Sequence, residues 1–398
     1  MSERPRVSVV LTSYNHADYL KEAIDSVLHQ TFSDFELIIW DDASTDGSWQ
    51  IITGYSDSRL MPFRNEVQKR GVWGLNKAIT EIAAGDYIAI HHSDDIWEPQ
   101  KLEKQVAFLD THPEIGAVFS NASVITENGE LLQHKANAYY QIFDQPNRTR
   151  YEWLNHFFCR GNALCHPSVL LRRECYGEGA PYRTGLGLLA DLDLWVRVCL
   201  KYEIFILPEK LVRYRVRLKA TNASTDPSTR VRRPFEFLQV LNNYRRIESS
   251  EELTKIFPAA EKYVKPDGCD IGFALGMTAL ELKPYTATEL FGLNLLFEAL
   301  NDPRRAKIIE ERYGFTNKEF VALSSAHDVF SIQLMNERER HIEELARKYR
   351  EISAGEAGQL AITLRRMSDR LVPLGSLRGK FARFIFQPIL RFLQKKNH

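Results

Sequence analysis

The chain has 398 residues, 44% hydrophobic and 26% charged, with 52 basic residues balanced by 52 acidic ones. That length accommodates one large domain or two ordinary ones, each with its own core. Zero net charge speaks against nucleic-acid binding by bulk electrostatics, which relies on a basic excess.

Five cysteines, Cys159, Cys165, Cys175, Cys199 and Cys269, form no C-x-x-C pair. An odd count without such spacing points to free thiols in a reducing compartment. The opening MSERPRVSVVLTSYN is charged and then enters an apolar run too short for a signal peptide. No uncharged apolar stretch is long enough to span a bilayer. The expected location is the cytoplasm.

Arg6 to Asn15 is a β-branched run ending in polar residues, as for a strand buried on both faces. From Asp18 to Gln30, Leu20, Ile24, Val27 and Leu28 recur at helical spacing, with Asp18 as the expected N-cap. FELIIW over Phe35–Trp40 predicts a second strand, stopped by DDASTDGS. A helix over Trp49–Tyr55, a short segment over Leu60–Arg64, a helix over Leu75–Ala84 and a strand from Tyr87 follow. This alternation predicts an α/β fold with a mostly parallel sheet flanked by helices. In open sheets of this kind ligands bind beyond the carboxyl ends of the strands. Thr12–Asn15, Asp41–Asp42 and Asp94–Asp95 therefore share one address.

Further on, YEWLNHFF reads as a helix, HPSVLLRR as a strand, LLADLDLWVRVCLKY as a helix and IFILPEKLVRYRVR as paired strand pieces. After Thr229 the pattern turns helical to about Ser324. The expected domains are 1–228, a helical region 229–330, and 331–398. In the last, Met335, Ile342, Leu345, Tyr349 and Ile352 have heptad-like spacing and permit a short coiled coil, hence a homo-oligomer. Residues 361–398 carry nine basic residues and one acidic among apolar ones, a basic amphipathic tail. Its two readings are peripheral attachment to an anionic membrane and a packed terminal helix.

The chemistry concentrates at Asp94 and Asp95. One of them could simply cap the helix expected near Pro99. Yet the pair stands where the strand rule places a ligand, and Asp41–Asp42 repeats the arrangement. Adjacent carboxylates repel, so keeping both ionised calls for a divalent cation or for ligand donors.

VSVVLTSYNHADYLKEAIDSVLHQTFSDFELIIWDDASTDGS and NKAITEIAAGDYIAIHHSDDIWEPQKLEKQ resemble the inverting family 2 glycosyltransferases, which use nucleotide-sugar donors on the GT-A fold. The resemblance covers roughly residues 5–225. It implies that Thr12 and Tyr14 wall the nucleobase pocket, Asp41 accepts a hydrogen bond from the base, and Asp42 shapes the same loop. It also places Arg70 and Asn76 near ribose or phosphate, Asp94 at the ribose, and Asp95 on Mn2+ or Mg2+. His92 stands where the family often has an acidic residue, which suggests weaker metal affinity. GLGLLADLDLWVRV resembles the family's E-D-x-D-L-W segment, with Ala190 in place of the Glu. That assigns Asp191 as the base for the acceptor hydroxyl; capping a helix is its bland alternative. Asp193 reads as structural. His166 and Trp195 are placed on the acceptor side, and Arg215 or Arg217 over the diphosphate.

The expected activity is metal-dependent transfer of one sugar to a hydroxyl of a glycan or lipid-linked acceptor, in cell-surface polysaccharide synthesis. Two competing readings remain. A nucleotidyltransferase would want a glycine-rich loop that VVLTSYNHADYL lacks, and a non-catalytic scaffold would keep the fold without the chemistry.

Overall fold

A computed structural model describes residues 4–132, 142–177, 179–217, 227–266, 268–355, 358–359 and 362–363. Apart from residues 362 and 363, the basic tail expected over 361–398 lies outside the described residues. The chain divides into two compact units, Met1–Ser324 and Ser325–His398.

The first unit is built on one eight-stranded sheet in the order β3-β2-β1-β4-β7-β6-β8-β5. Its strands are β1 Val7–Ser13, β2 Phe35–Asp41, β3 Leu60–Arg64, β4 Tyr87–His92, β5 Ile96–Trp97, β6 Ile115–Ile125, β7 Leu170–Arg172 and β8 Glu203–Arg215. Strands β1 to β4 run parallel, as do β6 and β8, while β7 and β5 are antiparallel to their neighbours. The β-branched runs become strands because both faces are covered. Val10, Ile38, Ile88 and Ile90 enter one core, while Val9, Leu11, Leu37 and Ile39 enter the core on the opposite face. Each fully buried side chain of this kind contributes about 1.5–3 kcal/mol.

Three local expectations change. The first helix runs Ala17–Leu28 with His16 at its N-cap, so Asp18 lies in the first turn instead of capping it. The expected strand pieces after Cys199 form the single strand β8. Its pairing with β6 jumps from Leu207 to Lys210, and the skipped Pro208 and Glu209 bulge into solvent. The 11-residue β6 breaks the apolar rule with Ser120, Asn121 and Ser123, and periodicity alone passes over it.

The helices from Pro227 to Tyr313 belong to the same unit as the sheet. Helices Ile271–Leu282 and Thr286–Asn301 cross so closely that a Cβ on Gly292 would lie 2.7 Å from the Gly276 carbonyl oxygen. The helix Pro227–Leu241 packs on Thr286–Asn301 and on the helix Ala190–Cys199. In the second unit, the helix Ile332–Ala354 carries the expected heptad residues Met335, Ile342, Leu345 and Tyr349, all exposed. No helix among the described residues is long and apolar enough to cross a membrane.

Candidate active site

The parallel register sets the rim. Thr12 on β1 stands level with Trp40 and His92, and Ser13 with Asp41. Beyond these residues the chain turns sharply, with Asn15 and Ala43 at φ of 52° and 62°. The two turns are stitched together. Asn15 N–H donates to Ser44 Oγ at 2.9 Å, and Thr45 N–H donates to Asn15 Oδ1 at 2.8 Å. Tyr14, 39% exposed, projects from this rim. Asp41 is fully buried. Its Oδ1 accepts from Ser44 N–H at 2.9 Å and lies 3.3 Å from Arg64 Nε. Its Oδ2 is buried and has no hydrogen-bond partner among the described residues, and an unmet buried acceptor is costly.

Asp42 shapes the neighbouring loop. It accepts from Asn65 Nδ2 at 2.6 Å and from the backbone N–H groups of Lys69 and Arg70, both at 2.8 Å. Those bonds hold Arg70 at φ 59° with its side chain exposed. Asn76 has a different task from the expected ribose or phosphate contact. Its amide donates to Tyr182 O at 2.7 Å and accepts from Tyr182 N–H at 2.8 Å, bracing two segments 106 residues apart.

Neither Asp94 nor Asp95 caps a helix, because the next one starts at Lys101 with Gln100 at its N-cap. Asp95 Oδ1 instead accepts from the Arg215 N–H on β8 at 2.7 Å, which pins the carboxylate between β4 and β8. Asp95 is 1% exposed, and its Oδ2 has no hydrogen-bond partner among the described residues. His92 Nδ1 lies 3.3 Å from that oxygen. Burial, with the Asp94 charge beside it, pushes the Asp95 carboxyl up to about 6. Burial opposes a charge on His92, but Asp95, Asp94 and Asp191 together outweigh it and raise its pKa. His92, Asp94 and Asp95 each offer a donor atom within 4.8 Å of the others. A buried, orphaned carboxylate oxygen among such donors fits a divalent cation.

Arg215, expected at the diphosphate, is committed to the scaffold. Its guanidinium donates to Asp94 O, to Thr126 O and Glu127 O, and to Glu22 Oε2. Arg217 takes the rim position. Its Nη2 lies 3.3 Å from Asp94 Oδ2, and its Nη1 donates to His16 Nε2 at 3.0 Å. Arginine only donates, so His16 carries its proton on Nδ1 and passes it to Ser93 Oγ at 2.7 Å.

Asp191 lies in the first turn of the helix Ala190–Cys199. Its Oδ2 accepts from Asn162 Nδ2 and its Oδ1 from Leu192 N–H, both at 2.7 Å. Burial pushes its pKa up to about 6, against the pull of those donors and of His92. Asp193 is structural, as expected: it is fully buried between Arg197 at 2.9 Å, Arg183 at 3.1 Å and Asn243 at 2.8 Å. His166 sits between His92 and Tyr182, with contacts of 3.1 and 2.9 Å. Burial lowers its pKa well below the usual range. Trp195, expected on the acceptor side, is 1% exposed and packs against the His166 ring and edge-on to Phe119.

The sequence reading missed Glu236. This buried carboxylate, from the helix Pro227–Leu241, accepts from the N–H groups of Gly187, Leu188 and Leu189 at 2.8–3.0 Å. These lead directly into the helix of Asp191, and no local pattern announces a partner some 47 residues away. Glu236→Ala leaves three donors unmet and should cost about 2–4 kcal/mol; chemical denaturation of the variant measures it.

A family model described as glycosyl transferase family 2 matches residues 8–172. The chain is 39% identical over 195 residues to the Escherichia coli UDP-Glc:alpha-D-GlcNAc-diphosphoundecaprenol beta-1,3-glucosyltransferase WfaP, covering 49% of this chain and 70% of that one. It is 32% identical over 219 residues to an uncharacterised glycosyltransferase of Methanocaldococcus jannaschii, covering 54% of this chain and 72% of that one. Among solved structures, S. aureus TarS in complex with UDP aligns at a TM-score of 0.50 and 18% identity, covering 82% of this chain and 91% of that chain, a likeness of fold. The matched segment carries the β1, β2 and β4 strand ends with Asp41, Asp94 and Asp95, and the chain belongs to glycosyltransferase family 2.

Proposed function

We propose that this glycosyltransferase moves one sugar, with inversion at the anomeric carbon, from a nucleotide-sugar donor to a hydroxyl of a glycan or lipid-linked acceptor. The observation that carries the proposal is the unmet carboxylates at the end of β2 and just after β4, with an elevated third carboxyl on the helix Ala190–Cys199. Asp41 Oδ2 and Asp95 Oδ2 lack partners, and Asp191 titrates near 6 within the electrostatic reach of His92. The relative acting on UDP-Glc and a diphosphoundecaprenol-linked sugar supports a nucleotide-sugar donor and a lipid-linked acceptor of surface-polysaccharide type.

In this reading Asp41 accepts a base N–H, and Thr12 and Tyr14 flank the ring. Asp94 faces the ribose and Arg217 supplies charge-assisted hydrogen bonds to the diphosphate. Asp95 would hold the divalent cation, which supplies positive charge against the charge growing on the leaving diphosphate. Asp191 takes the proton from the acceptor hydroxyl as its oxygen attacks opposite the diphosphate. The C1–O bond to the diphosphate breaks as the new glycosidic bond forms. Asn162 and the helix N-terminus aim the carboxylate. NMR of the product from an α-linked donor tests inversion: a β-linked product is expected, and an α-linked one contradicts it.

The same reading gives the 361–398 tail a place at an anionic membrane, where a lipid-linked acceptor resides. Anionic vesicles should pellet the full chain and not one ending at Leu360; equal pelleting removes the tail from the account.

A further inference from the structure

We propose that His92 is itself a ligand of the divalent ion, a nitrogen donor locked in place by His166 and Tyr182, and that it biases the site toward Mn2+ over Mg2+. The inference rests on the metal-dependent reading above and concerns which atoms of this chain do the holding.

His92 ends β4, and its two ring nitrogens face different surroundings. Nε2 lies 3.1 Å from His166 Nδ1, and His166 Nε2 lies 2.9 Å from Tyr182 Oη. Tyr182 is fully buried, and both its backbone N–H and its carbonyl are held by the Asn76 amide. The far end of this chain is therefore fixed. When His92 Nε2–H donates to His166 Nδ1, and His166 Nε2–H donates to Tyr182 Oη, His92 Nδ1 is left with a lone pair. That lone pair faces Asp95 Oδ2 at 3.3 Å, a contact outside hydrogen-bond geometry, and Oδ2 has no other partner. A proton or a divalent ion between the two atoms satisfies both, and the ion takes this place when it displaces the proton.

The spacing suits one. Octahedral ligands about 2.1 Å from an ion stand about 3.0 Å apart when adjacent, close to the separation found. Asp95 is held in place from its other oxygen by the Arg215 N–H at 2.7 Å. Asp94 adds a third donor, all three lying within 4.8 Å of one another. A metal-bound imidazole characteristically hands its second N–H to an acceptor that fixes the ring. His166 fills that role here, and the Asn76–Tyr182 brace gains a purpose. Replacing a carboxylate by a neutral nitrogen removes one negative charge and one hard oxygen. Mg2+ demands oxygen ligands and loses more from that exchange than Mn2+ does.

The test uses the full chain loaded with Mn2+ and electron spin-echo modulation, with natural-abundance and 15N-histidine protein. The expected spectrum has imidazole 14N modulation that converts to the 15N pattern on labelling. It persists in His16→Gln, which removes the other imidazole near Asp94, and disappears in His92→Asp. The His92→Asp protein should still bind Mn2+, with its Mg2+ affinity improved about tenfold relative to Mn2+. His166→Phe should weaken Mn2+ binding about tenfold. Mn2+ that binds through Asp95 without nitrogen modulation overturns the His92 proposal and leaves the proposed function standing. Modulation that survives His92→Asp overturns it equally. Failure of Mn2+ to bind at all brings down both this inference and the metal-dependent reading.

Discussion

Replacing Asp191 by Asn lowers the rate of sugar transfer about 10²–10⁴-fold while nucleoside-diphosphate affinity stays within about twofold of wild type. The substitution is nearly isosteric. Its amide oxygen can still accept from Asn162 Nδ2 or from the Leu192 N–H, so geometry survives and only the basic oxygen is lost. A carboxyl pushed up to about 6 also makes the wild-type rate depend on pH in a definite direction. The base works only when ionised, so the rate falls as pH drops through about 6, higher than for an ordinary aspartate. The Asn variant should lose that acid limb. A rate profile and a nucleotide titration on the two proteins check both points; loss of activity and nucleotide affinity together would remove Asp191 from the role of base.

Asp95→Asn carries the second large effect. The Asn Oδ1 can keep the hydrogen bond from the Arg215 N–H, so the link between β4 and β8 holds, while the charge offered by Oδ2 disappears. Metal affinity should fall about 100-fold, and the metal-dependent part of nucleotide binding with it. Calorimetric titration of Mn2+ into the nucleotide-bound protein measures the change. Unaltered metal affinity would place the ion elsewhere.

What could be read from residues alone divides along the reach of each interaction. The strands β1, β2 and β4 are legible because a parallel strand covered on both faces must be apolar throughout, and their polar ends follow from where apolar cover stops. Asp41, Asp94 and Asp95 were therefore visible as a rim. The roles of Asn76 and Arg215 were not, because each is set by partners 88 to 121 residues away, the Tyr182 backbone and the Asp94 and Glu127 carbonyls. An amide or guanidinium at a suitable position looks the same in sequence whether it braces the scaffold or faces the ligand. Arg217 and Arg215, two residues apart, illustrate the point: one ends in the scaffold and the other beside Asp94. Similarly, Glu236 buttresses the entry to the helix of Asp191 from a region whose helical texture spoke only of packing. The breaks in the apolar pattern of β6 come at Ser120 and Asn121, beside the bulge where β8 skips residues, and such an irregularity hides a strand from a period-two search.

In the proposed function the orphaned oxygens of Asp41 and Asp95 receive one ligand, a nucleoside diphosphate that arrives with its metal. Thermal melting of the full chain with UDP, GDP, dTDP, ADP or CDP, each with and without Mn2+, tests this most directly. At least one nucleotide should raise the melting temperature far more with Mn2+ than without it. Asp95→Asn should abolish the metal-dependent part, and Asp41→Ala should weaken the response to the base. Stabilisation that ignores Mn2+, or that survives unchanged in both variants, would contradict it.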